Sequence, residues 1–218
     1  ALHHAGVRCV FGLPGTQTLE LFEALRQSPL RTVVATNELS AAFMAGGWAR
    51  ATGDPGVLIT ISGPGFTWAL TGLAEARLDS VPLLHIVGAP SKDDVQRSFR
   101  QQELPHETIA APLVKGIIDA DSYPDPAVAV LEALLLARSG EPGPVLLQVT
   151  APVLAKNLET SPITATPCPQ ADSIGVDAVC ARMRSARRPM RSPTMPRARL
   201  PIGRAKNPTA KTANARSC

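Results

Sequence analysis

The sequence predicts an α/β protein, a three-layer α/β/α arrangement around a six-stranded, mainly parallel sheet. Two observations support this prediction. Short apolar runs rich in β-branched residues recur along residues 1–155, and segments with helical spacing of apolar residues separate them. Such an alternation is typical of a parallel sheet that carries helices on both faces.

Six apolar runs predict the strands. They are nearly continuous in apolar residues, as expected for strands that are covered on both sides. The runs are VRCVF (7–11), RTVVA (31–35), GVLITI (56–61), PLLHIVG (82–88), LVKGII (113–118) and PVLLQV (144–149).

Helical spacing is clearest in two of the intervening segments. Leu19, Phe22 and Leu25 form one apolar stripe. A second stripe lies within residues 127–135, and Pro126 suits the first turn of that helix.

The charge is distributed unevenly along the chain. The net charge is +4, yet residues 182–218 hold 11 of the 22 Lys and Arg and no Asp or Glu. A basic tail of this kind can bind phosphates. One alternative is therefore a non-catalytic α/β module whose tail binds nucleic acid or an acidic partner. No aromatic residue follows Tyr123, so base stacking is not supported and nucleic acid is the less favoured partner.

Composition also divides the chain into segments. Residues 1–155 form the predicted domain, and residues 156–172, rich in Pro, Thr and Ser, are predicted to be a linker. Residues 173–188 can form a helix. Residues 189–218 contain many prolines and no apolar periodicity, which predicts a disordered basic tail.

Two classes of protein are disfavoured by composition. No run of about 18 apolar residues occurs, so a membrane span is not expected. The four cysteines are far apart and form no CxxC pair, which favours reduced thiols in a cytoplasmic protein and predicts no metal site. They are Cys9, Cys168, Cys180 and Cys218.

Three strand-end loops are candidates for chemistry, because ligands in such sheets bind beyond the carboxyl ends of the strands. They are FGLPGT (11–16), the junction before Glu38, and SGPGFTWALTG (62–72). The third loop is not a dinucleotide fingerprint, since Trp68 stands where GxGxxG requires Gly.

Glu38 has two explanations. A carboxylate in a first helical turn gains about 0.3–1 kcal/mol from the helix dipole, which requires no function. Alternatively, the acid follows a strand that is expected to be buried, and small residues after it would let another surface pack closely. A partly desolvated carboxylate there could bind a protonatable ring nitrogen. The small residues include Ala41, Ala42, Ala45, Gly46 and Gly47.

Several motifs in order resemble the N-terminal, pyrimidine-binding domain of thiamine diphosphate enzymes, in particular the acetolactate synthase and 2-oxo-acid decarboxylase group. The resemblance covers Gly6 to about Leu154. The motifs are GVRCVFGLPG, NELSAAFMAGGWARATGDPGV, TISGPGFTWALTGLAEARLDSVPLLHIVG, RQQELPHETIAAPLVK and GEPGPVLLQV.

The resemblance implies roles for individual residues. It makes Glu38 the catalytic acid that hydrogen-bonds the pyrimidine of thiamine diphosphate and shares a proton with it. Some decarboxylases of the group have active-site histidines at the position of His106, so the resemblance also implies a substrate contact there. The synthases have an apolar residue at this position. Trp68 and Leu39 stand where synthases usually have Asn and Gln, so the choice between synthase and decarboxylase stays open. The implied cofactor-binding positions are Pro14, Gly15, Glu38, Pro64, Trp68 and Gln102.

The resemblance further implies parts of a larger enzyme. No Gly-Asp-Gly motif occurs, so Mg²⁺ is expected to bind through a diphosphate-binding domain outside this chain. The intact protein is expected to use a 2-oxo acid, to form a homodimer or homotetramer, and to be able to carry FAD. The chain alone is expected to be inactive.

The end of the chain departs from the family pattern. Residues 173–188 resemble the start of the family's central domain, and the change of composition after Pro189 suggests a frameshift as a hypothesis. A third reading is a non-catalytic relative that dimerises through the small residues after Glu38.

Overall fold

The computed structural model describes residues 1–90 and 102–154. Six strands form a single sheet in the order β2-β1-β3-β4-β6-β5, and all five pairings between neighbours are parallel. This confirms the predicted fold class and all six predicted strands. The strands are β1 Cys9–Gly12, β2 Arg31–Val34, β3 Gly56–Ile61, β4 Leu83–Ala89, β5 Gly116–Asp119 and β6 Pro144–Thr150.

Helices connect the strands, and local sequence signals define several of their ends. Asn37 caps the second helix by accepting a hydrogen bond from the Ser40 amide at 2.7 Å. Asp125 caps the fifth helix, which begins at Pro126. The helices are α1 Leu19–Arg26, α2 Glu38–Thr52, α3 Pro64–Leu78, α4 His106–Ala110, α5 Pro126–Arg138 and α6 Ala151–Leu154, with 3-10 turns at Thr16–Thr18 and Ala120–Ser122.

Apolar cores lie on both faces of the sheet. On one face, side chains such as Ile59, Leu84 and Leu147 pack with α1 and α5. On the other face, Leu58 and Leu146 pack with α2 and α3. Because adjacent strand residues point to opposite faces, the continuous apolar runs in the sequence serve both cores.

The expectation that Glu38 follows a buried strand is wrong. β2 lies at the edge of the sheet and pairs only with β1, so Arg31 and Val34 are exposed. Val34 keeps 60% of its surface accessible. Any shielding of Glu38 must therefore come from elements other than β2.

The small residues after Glu38 pack within the domain. Ala41, Ala42 and Ala45 are fully buried, and a β carbon built on Gly72 of α3 would lie 2.5 Å from Cβ of Ala42. Gly46 is also buried, whereas Gly47 is exposed. The expectation that this face mainly serves a partner surface is corrected, since it brings α2 against α3 and β3 of the same chain.

Several predictions fall on residues outside the described ranges. They concern the linker at 156–172, the helix at 173–188 and the basic tail at 189–218, and they stay predictions. Among the described helices, none is both long enough and apolar enough to cross a membrane.

Candidate functional site

The strand order places a switch point between β1 and β3. From β1 the chain moves outward to β2, then returns to β3 on the other side of β1 and continues to β4. In open parallel sheets, ligands bind beyond the carboxyl ends of the strands at such a point. The segments at this point are residues 13–15 after β1, and residues 62–63 after β3 together with Pro64 and Gly65, the first two residues of α3.

Ile61, the last residue of β3, joins the two loops. A β carbon built on Gly65 would lie 2.7 Å from Cγ1 of Ile61. A β carbon on Gly15 would collide with Cγ2 of the same side chain. Both glycines therefore let backbone pack directly on Ile61, and the predicted Pro14–Gly15 turn lies beside the loop that begins α3.

Glu38 lies at the same place. It is the first residue of α2 and is half-buried. Its Oε1 lies 3.1 Å from the position that a β carbon on Gly65 would take. No hydrogen bond to the Glu38 carboxylate occurs among residues 1–90 and 102–154, so the carboxylate can accept a ligand N–H.

Gln102 lies against the loop after β3. Its Cβ is 2.7 Å from the position of a β carbon on Gly63, which has φ +62°. Gln102 itself has φ +60°, a left-handed backbone conformation that is uncommon for a residue with a side chain. The absence of a side chain at Gly63 thus makes room for Gln102.

The other predicted cofactor-binding residues lie at the surface. Pro64 is the first residue of α3 and is exposed, as is Pro14. Trp68 follows Pro64 by one helical turn and keeps 56% of its surface accessible. The roles predicted for these residues stay predictions.

His106 lies in the core beneath α3. Its ring is 4.5 Å from the ring of Phe66, and its Nδ1 lies 3.1 Å from Oε1 of Gln148. The residue is 3% exposed, and burial lowers the pKa of His106 below its ordinary value. The substrate contact predicted for His106 stays a prediction, and in this conformation the ring is engaged by core contacts.

A second histidine, His85 in β4, was not among the predicted site residues. Its Nε2 lies 2.8 Å from Oγ1 of Thr60, and its ring stacks on Phe66 with centroids 6.0 Å apart and planes at 10°. Burial lowers the pKa of His85 to about 3. In the sequence, this buried residue is indicated only as a single polar residue within the apolar run PLLHIVG.

A separate apolar cleft lies on the opposite face of the sheet. It has a volume of about 240 Å³ and is lined by residues that include Leu25, Ile86, Val130 and Leu147. These residues belong to the core that packs with α1 and α5, so the cleft is distinct from the Glu38 site.

The arrangement around Ile61 brings a hydrogen-bond acceptor to the strand-end loops. Gly15 and Gly65 both pack against the Ile61 side chain, and the half-buried Glu38 carboxylate lies beside Gly65. An ionised carboxylate accepts hydrogen bonds and can share a proton with a basic ring nitrogen. The described residues contain no group of three or more His, Cys, Asp or Glu side chains placed to hold a metal ion.

Fold and site together define a cofactor-binding α/β domain. The chain belongs to the thiamine pyrophosphate (thiamine diphosphate) enzyme family, because residues 1–110 match the family's N-terminal TPP binding domain. The resemblance predicted from the motifs is confirmed.

Individual relatives agree with this assignment. The chain is 43% identical over 154 residues to acetolactate synthase 2, chloroplastic, of Nicotiana tabacum, and 40% identical over 154 residues to acetolactate synthase, chloroplastic, of Arabidopsis thaliana. Each alignment covers 68% of this chain but only 22% of the relative. The chain is 33% identical over 195 residues to the acetolactate synthase isozyme 1 large subunit of Escherichia coli K12, covering 87% of this chain and 34% of the relative. The chain thus spans about a fifth to a third of these proteins and is an N-terminal TPP binding domain of the acetolactate-synthase-like type.

Proposed function

We propose that this chain supplies the pyrimidine side of the thiamine diphosphate site in an acetolactate-synthase-like carboligase or decarboxylase that acts on 2-oxo acids. The observation that carries the proposal is the position of the Glu38 carboxylate, which lies beside Gly65 at the carboxyl ends of β1 and β3 and accepts no hydrogen bond among the described residues. The similarity to acetolactate synthases supports the substrate class.

Glu38 is the proton-handling residue in this proposal. When bound, thiamine diphosphate supplies the electron sink for cleavage of the bond beside a 2-oxo acid's carbonyl carbon. Glu38 accepts a hydrogen bond from the pyrimidine nitrogen and shares its proton, which controls the protonation state of the ring. Its position as the first residue of α2 holds the carboxylate beside Gly65 of α3.

The neighbouring residues position the ring in this proposal. Ile61 provides an apolar surface, and its contacts with Gly15 and Gly65 hold the segments after β1 and β3 together beside Glu38. A ring packed against this surface would exclude water from the Glu38 carboxylate. A charge-assisted hydrogen bond in this setting contributes about 1.5–3 kcal/mol, so this domain alone gives weak cofactor binding.

A homodimer is part of the proposal. Exposed large apolar side chains on α2 and α3 form what we call the apolar face, and apolar patches of this kind are typical of protein interfaces. In this proposal the diphosphate domain of a second subunit covers this region, as the resemblance to the family implies. The apolar face consists of Leu39, Phe43, Met44 and Trp68.

The remaining parts of the intact protein are also proposed. Mg²⁺ binds through a diphosphate domain outside this chain, and FAD binds in the intact protein if it resembles the synthases closely. The E. coli alignment covers 87% of the chain, more than residues 1–154 supply, which supports a central domain beginning after them. A cytoplasmic location stays a prediction, because the names of the plant relatives place those proteins in chloroplasts.

The test is calorimetric titration of the full chain with thiamine diphosphate and Mg²⁺, alone and mixed with a diphosphate domain from a relative. Glu38→Gln keeps the shape of the side chain but removes its charge, and we expect at least a tenfold weaker Kd. Glu20→Gln is the matched control, since Glu20 is an exposed acid in the first turn of α1. Equal binding by Glu38→Gln and wild type would refute the role of Glu38.

A further inference from the structure

Gln17 makes a long-range hydrogen bond to Gln102. It lies in the 3-10 turn after β1 and is half-buried. Its Nε2 donates to Oε1 of Gln102 at 3.1 Å, across 85 positions of sequence. The turn after β1 is thereby tied to the segment that enters α4.

The backbone around Gln17 is tightly packed. A β carbon built on Gly88 in β4 would lie 3.0 Å from both Cβ and the carbonyl oxygen of Gln17. Thr18, the next residue, is fully buried, and its Oγ1 accepts a hydrogen bond from the Gly15 amide at 3.2 Å. Gln17 therefore approaches Gln102 from a fixed position.

The pair contains two unfavourable features. Gln102 has φ +60°, a conformation that is strained for a residue with a β carbon. Oε1 of Gln17 is buried and has no hydrogen-bond partner in the described part of the chain. Neither feature stabilises the fold, so an observed outlier of this kind points to a functional placement of Gln102.

The bond also orients the Gln102 amide. Its oxygen accepts from the Gln17 NH₂ group, and its own NH₂ group makes no hydrogen bond among the described residues. An amide NH₂ donates to carbonyl and carboxylate oxygens and adds no charge. A cation at this place would stabilise the carboxylate of the substrate and so oppose decarboxylation. A neutral amide stabilises that carboxylate less and therefore opposes decarboxylation less.

We propose that Gln17 is a positioning residue, which holds Gln102 over Gly63 with its NH₂ group presented to an oxygen of a 2-oxo acid at the strand-end cleft. The choice of substrate class rests on the proposed function. The orientation of Gln102 does not, because it follows from the contacts of Gln17, Gly63 and Gln102 alone.

The test uses Gln17→Met, which keeps the length of the side chain and removes its hydrogen bonding. In ¹⁵N-labelled full chain without ligand, we expect the side-chain NH₂ resonances of Gln102 to shift, while the urea midpoint of unfolding stays level with wild type or rises. Gln27→Met is the matched control, since Gln27 is exposed and its side chain donates to Glu23 of the adjacent helix α1. If Gln17→Met does not fold, Gln17→Asn, which shortens the side chain by one methylene, replaces it.

Three results would overturn the proposal or separate it from the proposed function. Unchanged Gln102 resonances in Gln17→Met would show that Gln17 does not hold the amide. A lower urea midpoint with no change in the shift that pyruvate causes at the Gln102 NH₂ group would reduce Gln17 to a structural residue. Failure of wild type to bind thiamine diphosphate would refute the proposed function, while the ligand-free resonances would still decide the role of Gln17.

Discussion

The carboxylate of Glu38 lies against Gly65, with Oε1 3.1 Å from the place where a β carbon would stand on that residue. The first residue of α2 and the second residue of α3 thus form one surface, although 27 positions of sequence separate them. The proposed binding of the cofactor ring depends on this relationship, because it holds the acceptor in place at the strand-end loops.

Gly65→Ala tests the contact directly. The new methyl group would lie 2.7 Å from Cγ1 of Ile61 as well as against Glu38, so we expect destabilisation of about 1–3 kcal/mol from overpacking. Urea unfolding measures this change, and thiamine diphosphate titration is expected to show weakened binding.

Gly47→Ala is the control for that substitution. Gly47 is also helical, but a β carbon there would have no neighbour within 4 Å. Alanine leaves the unfolded backbone less conformational entropy to lose than glycine does, so this substitution should raise the free energy of unfolding by about 0.5–1 kcal/mol. Equal gains from both substitutions would show that the Gly65 position is open rather than tightly packed.

Gly63→Ala tests the packing of Gln102 against Gly63. Gly63 combines φ +62° with a β-carbon position 2.7 Å from Cβ of Gln102, whereas Gly140 has φ +52° and open space. Gly140→Ala should cost about 1–2 kcal/mol from the left-handed backbone alone. We expect Gly63→Ala to cost more in urea unfolding, and equal losses would contradict the packing of Gln102 on Gly63.

Stability should fall as the pH is lowered through the range set by the buried histidines. The folded-state pKa values of His85, about 3, and of His106 are lowered, so the unfolded chain binds more protons below about pH 6.5. The stability that the neutral His85 side chain preserves above pH 6.5 is lost as the pH falls towards 3, and His106 acts in the same direction. The expected slope is about 1.4 kcal/mol per pH unit for each histidine that has titrated in the unfolded chain.

His85→Phe separates this effect from general acid unfolding. It keeps a ring beside Phe66 and removes one titrating group, and Thr60 retains its hydrogen bond to the Ile61 carbonyl at 3.0 Å. Urea unfolding between pH 4 and 7 should show a shallower slope for His85→Phe. His4→Gln, at an exposed position, should keep the wild-type slope, and an unchanged slope in His85→Phe would refute the assignment.

The apolar face should govern self-association if the proposed homodimer forms. Trp68→Glu places a charge on the apolar face, and we expect at least a tenfold weaker association in sedimentation equilibrium. Leu78→Glu is the control, because Leu78 is 81% exposed at the far end of α3. Identical effects of the two substitutions would exclude the apolar face as the interface.

Much of this molecule could be predicted from local patterns. The six strands, the start of α5 at Pro126 and the Gly-Pro-Gly loop before α3 follow from residues that act on their immediate neighbours. The edge position of β2 could not be predicted in this way, since an apolar run such as RTVVA fits a central strand equally well.

The sequence by itself determined the α/β class, the order of the elements and the family, because apolar periodicity and motif spacing are properties of the linear sequence. Only the tertiary structure decided that Ile61 joins the Gly15 and Gly65 loops, that Glu38 lies on Gly65, and that Gln17 holds Gln102. The physical reason is that these contacts depend on strand order. When the strand order β2-β1-β3-β4 brings carboxyl ends together at one edge, side chains that are far apart in sequence become neighbours.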